Sequence, residues 1–159
     1  MSYSLVVFDW DGTLMDSTHS IVAAIQGACR DLELAVPSAS EASWVIGLSL
    51  ESALRRAVPE LTQAMLPRFL ERYRTHYLLR DPELRLFDGI PELLTELAER
   101  DVRLAVATGK SRVGLTRALA ATGLGPMFDA TRTADETFSK PHPAMLHELM
   151  QELDVDPSK

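Results

Sequence analysis

The chain has 159 residues, 46% hydrophobic and 25% charged, with a formal net charge of −7. That length holds one α/β domain with a modest insert, and the apolar fraction is ample for a core. The acidic balance disfavours nucleic acid and anionic membrane as partners, while a small phosphorylated molecule held by local groups stays admissible. Cys29 is the only cysteine, which excludes an internal disulfide; it falls on the apolar stripe of a helix and reads as a core residue. A cytoplasmic setting follows as the default. No apolar run approaches the roughly 18 residues of a membrane span. Met1-Ser2-Tyr3 leads straight into a strand and leaves no room for a signal peptide.

Leu5-Val6-Val7-Phe8 is a short continuous apolar run, the pattern of a strand buried on both faces of a parallel sheet. Asp9 sits at its carboxyl end, the edge where open α/β sheets place ligands. Asp11 follows two residues on, and Gly12 permits a sharp turn behind it. Two acids so placed can share one small site, where a metal ion relieves their repulsion and orients a phosphate. The same residue types also serve as plain turn formers.

A helical pattern then runs through Ile21, Ala24, Ile25, Ala28 and Leu32, with Ser17 or Thr18 as its cap. Pro37 to Ser40 marks a turn. A second helix opens near Ser40 and carries Trp44 and Val45; Gly47 breaks it, and a helical reading resumes from Leu48 to Val58. Leu61, Met65, Phe69, Leu70, Tyr73 and Tyr77 form a long amphipathic stripe, closed by a turn at Arg80-Asp81-Pro82. No strand pattern appears between Asp16 and about Arg85. An all-helical block therefore interrupts an α/β pattern after its first strand.

The core resumes with a helix begun by Gly89 and Pro91, whose inward residues are Leu93, Leu94, Leu97 and Ala98. Val102 to Ala107 is the second buried strand, ending in Thr108-Gly109-Lys110. Arg112 to Thr122 is a helix closed by Gly123. Phe128 to Thr131 is a short third strand, Asp135 to Lys140 a loop, and Pro143 to Leu153 a final helix. This order predicts a right-handed, doubly wound parallel sheet. The core takes residues 1–15 and 86–159 and the helical block residues 16–85.

Thr108 follows the second strand as Asp9 follows the first, so a hydroxyl and the N–H of Gly109 can hold phosphate oxygens at one sheet edge; a strand-to-helix turn is the alternative. Lys110 either adds charge near a substrate or is solvated. Lys140, between Ser139 and Pro141-His142-Pro143, is held by stiff neighbours, which suits a lysine that must neutralise phosphate and Asp9 together; an exposed lysine beside a helix start is the alternative. His142 reads as structural, and His19, His76 and His147 have no ligand spacing. Arg55 or Arg56 either grips a substrate carboxylate or faces solvent.

The string Asp9-Trp10-Asp11-Gly12-Thr13-Leu14, with "ATGK" around Thr108 and "KPHP" from Lys140, resembles the motifs of the haloacid dehalogenase-like (HAD) hydrolase superfamily. Within it, the cap and the overall sequence look most like the phosphoglycolate phosphatase branch. The resemblance implies a Mg²⁺-dependent phosphatase acting on a small phosphorylated metabolite. Asp9 would be the nucleophile that forms an aspartyl-phosphate, and Asp11 the general acid/base. Thr108 would bind phosphoryl oxygen, and Lys140 would neutralise phosphate and nucleophile. It also implies that the cap closes over the site and excludes water.

The family's fourth motif, a Gly-Asp followed by a further acid, has no counterpart before Lys159. The shell left for Mg²⁺ is Asp9, the main-chain carbonyl of Asp11 and waters. The expectation is a fragment of a longer phosphatase that by itself binds metal poorly. Leu5–Phe8 would then be an open apolar edge that invites self-association. Two other classes share these groups: a signalling receiver that keeps its phosphoaspartate, and a catalytically inactive binding module.

Overall fold

The computed structural model describes residues 2–44 and 46–158. Met1 ahead of the first strand, Val45 in the second cap helix and Lys159 at the chain end lie outside the described residues. Strand β1 (Leu5–Phe8) leads to the acid pair, and β2 (Met15–Asp16) follows. Next come α1 (Thr18–Asp31), α2 (Ala39–Ser43), α3 (Leu50–Ala57) and α4 (Leu66–Arg80). The chain then runs through β3 (Arg85–Leu86), α5 (Ile90–Glu99), β4 (Arg103–Ala107), α6 (Arg112–Thr122), β5 (Ala130–Arg132) and α7 (Ala144–Glu152).

The parallel sheet has the order β1-β4-β5, with Phe8 opposite Val106 and Ala107 opposite Arg132. Side chains alternate across it as strand geometry requires. Val6, Phe8, Leu104 and Val106 join Leu94 of α5, Leu115 of α6 and Trp10 on one face. Leu5, Val7, Ala105 and Ala107 join Met145 and Leu149 of α7 on the other. The apolar runs Leu5–Phe8 of β1 and Leu104–Ala107 of β4 are thus explained by helices on both faces, the doubly wound arrangement. Among the described strands β1 lies at an open edge of the sheet.

The helices between β2 and β3 have a core of their own, built from Ile25, Ala28, Leu54, Phe69 and Tyr73. Cys29 is fully buried there, and burial pushes its thiol up to about 11. Arg72 and His76 of α4 reach Asp31 of α1 at 2.7 and 2.8 Å. Both crossings between this block and the sheet pass through an antiparallel ribbon, Met15 opposite Leu86 and Asp16 opposite Arg85. Two residues per strand carry too little alternation to be seen in sequence.

Several element ends differ from the sequence expectation. The third strand starts at Ala130, because the N–H of Asp129 bonds to the Leu104 carbonyl and its carboxylate to the Leu104 N–H, which ends the pairing. Helix α2 stops at Ser43, and Trp44 is 83% exposed in the turn beyond it. Its start is specified by a capping box between Ser38 and Glu41. Helix α3 begins at Leu50 because Ser49 caps it. Leu61 packs on the helical core from a loop, and the long helix begins at Leu66 with Pro67 in its first turn. Leu93 and Ala98 do not point inward; Leu93 is 40% exposed, Ala98 is exposed as well, and Leu94 holds the core position. Gly123 ends α6 in the left-handed conformation, as expected.

Candidate active site

The carboxyl ends of β1 and β4 bring Asp9 and Thr108 to one edge of the sheet, since Phe8 and Val106 are paired. The Asp9 carboxylate is fixed through Oδ1, which accepts the N–H of Trp10 at 2.8 Å and the Lys140 ammonium at 3.0 Å. Lys140 also donates to the main-chain carbonyl of Ala107 at 3.1 Å. One lysine therefore links the nucleophile candidate of β1 to the end of β4. Asp9 Oδ2 has no hydrogen bond among the described residues.

Lys140 is delivered by a loop that is tied down on the way. The Arg112 N–H donates to Asp135 Oδ1 at 2.9 Å, and the Thr133 hydroxyl to the same oxygen at 2.6 Å. The Thr133 bond leads in holding the Asp135 carboxyl below the usual aspartate range. The Ala134 N–H closes on the Lys110 carbonyl at 3.0 Å. The Lys140 loop and the Thr108 turn are thereby one unit.

Thr108 is buried; its N–H is paired with the Arg132 carbonyl at 3.1 Å, and its hydroxyl accepts the Lys110 N–H at 3.1 Å. Accepting leaves the hydroxyl proton to be donated. The Gly109 N–H has no protein acceptor among the described residues. Asp9 and Lys140 are in contact, and the Phe8–Val106 pairing puts Thr108 and Gly109 at the same edge of the sheet.

Asp11 is held differently. The buried Ser17 hydroxyl donates to its Oδ1 at 2.7 Å, and Lys110 approaches its two oxygens at 3.5 and 3.4 Å. Ser17 occupies the N-cap position of α1, but its side chain makes no capping bond; it serves Asp11 instead. Of the two readings of Lys110, the structure rules out the solvated one. Its side chain is only 12% exposed, and it also donates to the Tyr77 hydroxyl at 3.3 Å. Burial works against the Lys110 charge, but Asp11 and Tyr77 outweigh it and hold the pKa above the usual lysine value.

Tyr77 comes from α4 of the cap, and a second cap segment covers the site directly. A Cβ built on Gly109 would lie 2.2 Å from the Leu48 carbonyl oxygen, and one on Gly47 would lie 3.5 Å from Asp9 Oδ2. Gly47 has a φ of 99°, a conformation that glycine adopts without steric cost. Bare backbone on both sides lets the cap loop sit on the strand ends.

Ser17, Tyr77 and the Gly47-Leu48 pair were not recognised as site residues in the sequence. Ser17 carried a signal that pointed to capping, and Tyr77 was one member of an apolar stripe. Arg55 and Arg56 are both exposed; Arg55 binds Glu51 at 3.1 Å and also Gln63. His142 accepts the Ala144 N–H at 3.0 Å and stays structural.

The oxygen donors near the sheet edge are Asp9 and Asp11, and among the described residues no three His, Cys, Asp or Glu groups gather to hold a metal. Such a set fits a hard ion that keeps most of its waters, as magnesium does with one or two carboxylates and a phosphate. Asp154 and Asp156 belong to the turn after α7, where Asp156 bonds to Ser158. No described helix is long and apolar enough to cross a membrane.

A doubly wound sheet, an acid pair and a lysine at one strand edge, and a helical insert closing on them define a class of α/β hydrolases. The chain belongs to the haloacid dehalogenase-like hydrolases, whose family pattern it matches over residues 6–159. It is 36% identical over 158 residues to "Probable phosphatase IndB" of Dickeya dadantii (strain 3937), covering 96% of this chain and 68% of that protein. It is 33% identical over 162 residues to a phosphoglycolate phosphatase of Pectobacterium atrosepticum, covering 97% and 68%. A crystal structure described as a predicted phosphoglycolate phosphatase from Haemophilus somnus 129PT superposes with a TM-score of 0.88 at 26% identity, covering 98% of this chain and 74% of that one. The chain spans about two thirds of the length of these curated relatives.

Proposed function

We propose that this chain hydrolyses small phosphomonoesters, phosphoglycolate-like in size and charge, through an aspartyl-phosphate on Asp9. The observation that supports the reading most is the fixing of one Asp9 oxygen by Lys140 while the other stays free beneath the cap loop. Asp9 Oδ2 attacks phosphorus and the ester P–O bond breaks. Asp11 gives its proton to the leaving oxygen, an alcohol departs, and the phosphoryl group stays on Asp9. Water then attacks that phosphorus, Asp11 takes a water proton, and the Asp9–phosphorus bond breaks to release inorganic phosphate.

Lys140, the Thr108 hydroxyl and the Gly109 N–H balance the charge on the phosphoryl oxygens throughout. The Asp9 carboxylate and the main-chain carbonyl of Asp11 would hold Mg²⁺, which supplies charge neutralisation and orients the phosphoryl group. On this reading the partners are a small phosphorylated metabolite and, along the open edge of β1, a second copy of this chain. Hydrolysis of p-nitrophenyl phosphate with Mg²⁺, compared with Asp9→Asn, tests the nucleophile. A loss of at least ~10³-fold is expected for a covalent nucleophile; unchanged turnover in Asp9→Asn overturns the assignment. A phosphoaspartate that accumulates without turnover would identify a switch instead.

A further inference from the structure

Helix α4 is tied to the core near its C-terminus. Two side chains there bond across to the core: Tyr77 accepts from Lys110 at 3.3 Å, and Asp81 from Arg117 of α6 at 2.9 Å. Tyr77 and Asp81 are one helical turn apart. The Lys110 stem passes Gly114 of α6, where an added Cβ would lie 3.6 Å from Lys110 Cε. Asp81 is the C-cap of α4 and opens a short 3-10 turn, Asp81–Glu83, that leads to β3. A carboxylate there stands at the negative end of the helix dipole and works against α4. Its carboxylate has no hydrogen-bond partner among the described residues except Arg117. What Asp81 gains, it gains across the gap between cap and core. Every other ion pair among the described residues lies within the cap or within the core. The Arg117 side chain is 50% exposed and that of Asp81 29%, so the pair is weak and open to screening by salt.

We infer that Asp81 and Arg117 form an ionic latch that holds the cap down on the core and seats Tyr77 against Lys110. Both are positioning residues: neither contacts Asp9, Thr108, Gly109 or Lys140 in the structure. The cap can therefore be loosened, by salt or by substitution, without altering the groups assigned to the phosphoryl chemistry. A single half-exposed pair suits a part that has to release as well as hold, since a buried pair would be costly to break. On the phosphatase reading above, lifting the cap admits the phosphomonoester and lets the product leave. The latch itself rests on the placement of α4 against α6 and not on that reading.

Hydrogen exchange of the intact chain without substrate reads this opening directly. The segments to follow are residues 46–49, the cap loop over Gly109, and residues 76–81, the end of α4. Raising NaCl from about 10 mM to about 1 M shortens the screening length from about 30 Å to about 3 Å. Exchange in both segments is expected to rise about two- to fivefold, the worth of a half-exposed ion pair. Arg117→Gln, which keeps a good helix former, shows that rise already at low salt and responds little to more. Asp81→Arg combined with Arg117→Glu reverses the pair and returns exchange toward the parent level, which neither substitution does alone. Helix α6 and strand β4 stay as protected as in the parent, which a general loss of stability would not allow. Arg100→Gln is the control, since its partner Glu96 lies on the same helix α5. Parent-like exchange in Arg117→Gln at low salt, or a reversed pair no better than its single substitutions, overturns the latch. The expected exchange pattern in a chain that turns over no phosphomonoester leaves the latch standing and refutes the phosphatase reading alone.

Discussion

Gly109→Ala isolates the contact between cap and sheet. The added methyl would stand 2.2 Å from the Leu48 carbonyl oxygen and 2.8 Å from its carbon, both backbone atoms. Backbone cannot rotate away as a side chain does, so the cap loop has to retreat by roughly 1 Å to reach ordinary contact. Gly109 does not have a positive φ, and Thr108 keeps its bond to the Arg132 carbonyl, so the turn itself accepts alanine. The damage therefore falls on cap closure rather than on the sheet. A displacement of about 1 Å at reacting groups costs on the order of a hundredfold in rate, or about 2.7 kcal/mol of barrier. The assay is kcat/KM for p-nitrophenyl phosphate, with hydrogen exchange of residues 46–49 and a thermal melt beside it. The expected result is that hundredfold loss, faster exchange in the loop, and a melt close to that of the unaltered protein. Gly125→Ala is the control, because its new methyl meets only Leu119 Cβ at 3.9 Å. Full activity and unchanged loop exchange in Gly109→Ala would refute the idea that the loop closes on this turn during catalysis.

Phe69→Ala removes the largest fully buried side chain of the cap core. A loss of about 3–5 kcal/mol is expected in urea denaturation. Faster exchange confined to α1 and α4, with β4 still protected, would show that the two cores unfold separately; uniform loss of protection would show that they do not. Asp31 sits in the folded state below the usual aspartate range, first because of its hydrogen bond from Arg72 and then because of the bond to His76. The sign is that of a depressed acid: its stabilisation is complete above the unfolded value of roughly 3.9 and is lost as pH falls through the folded value. The melting temperature of Asp31→Asn should accordingly fall less on acidification below pH ~4 than that of the parent, and parallel acid limbs would refute it.

The parts of the fold legible in sequence are those whose physics is local or periodic. Strands β1 and β4 were visible because helices pack on both faces, so Leu5–Phe8 and Leu104–Ala107 are apolar throughout. The end of α6 was visible because Gly123 sits in the left-handed cap. The β2–β3 ribbon was invisible, since strands of two residues joined across nearly seventy positions leave no pattern. The acid pair, Thr108 and Lys140 were legible because each follows a strand and sits in a recognisable string. Ser17 and Tyr77 were not, because what makes them site residues is an approach in space: a hydroxyl turned from its helix start to Asp11, and a phenol brought onto Lys110 by α4.

The two lysines at the sheet edge are gripped differently. Lys140 is held tightly by two groups at the sheet edge, Asp9 and the Ala107 carbonyl. Lys110 is held loosely, by Asp11 of the turn after β1 and Tyr77 of α4. A rigid charge favours the transition state because it needs no reorganisation as the reaction proceeds. A loosely held charge loses little when its contacts rearrange, so a shift of α4 would alter the Lys110 contacts without disturbing the Asp9–Lys140 pair.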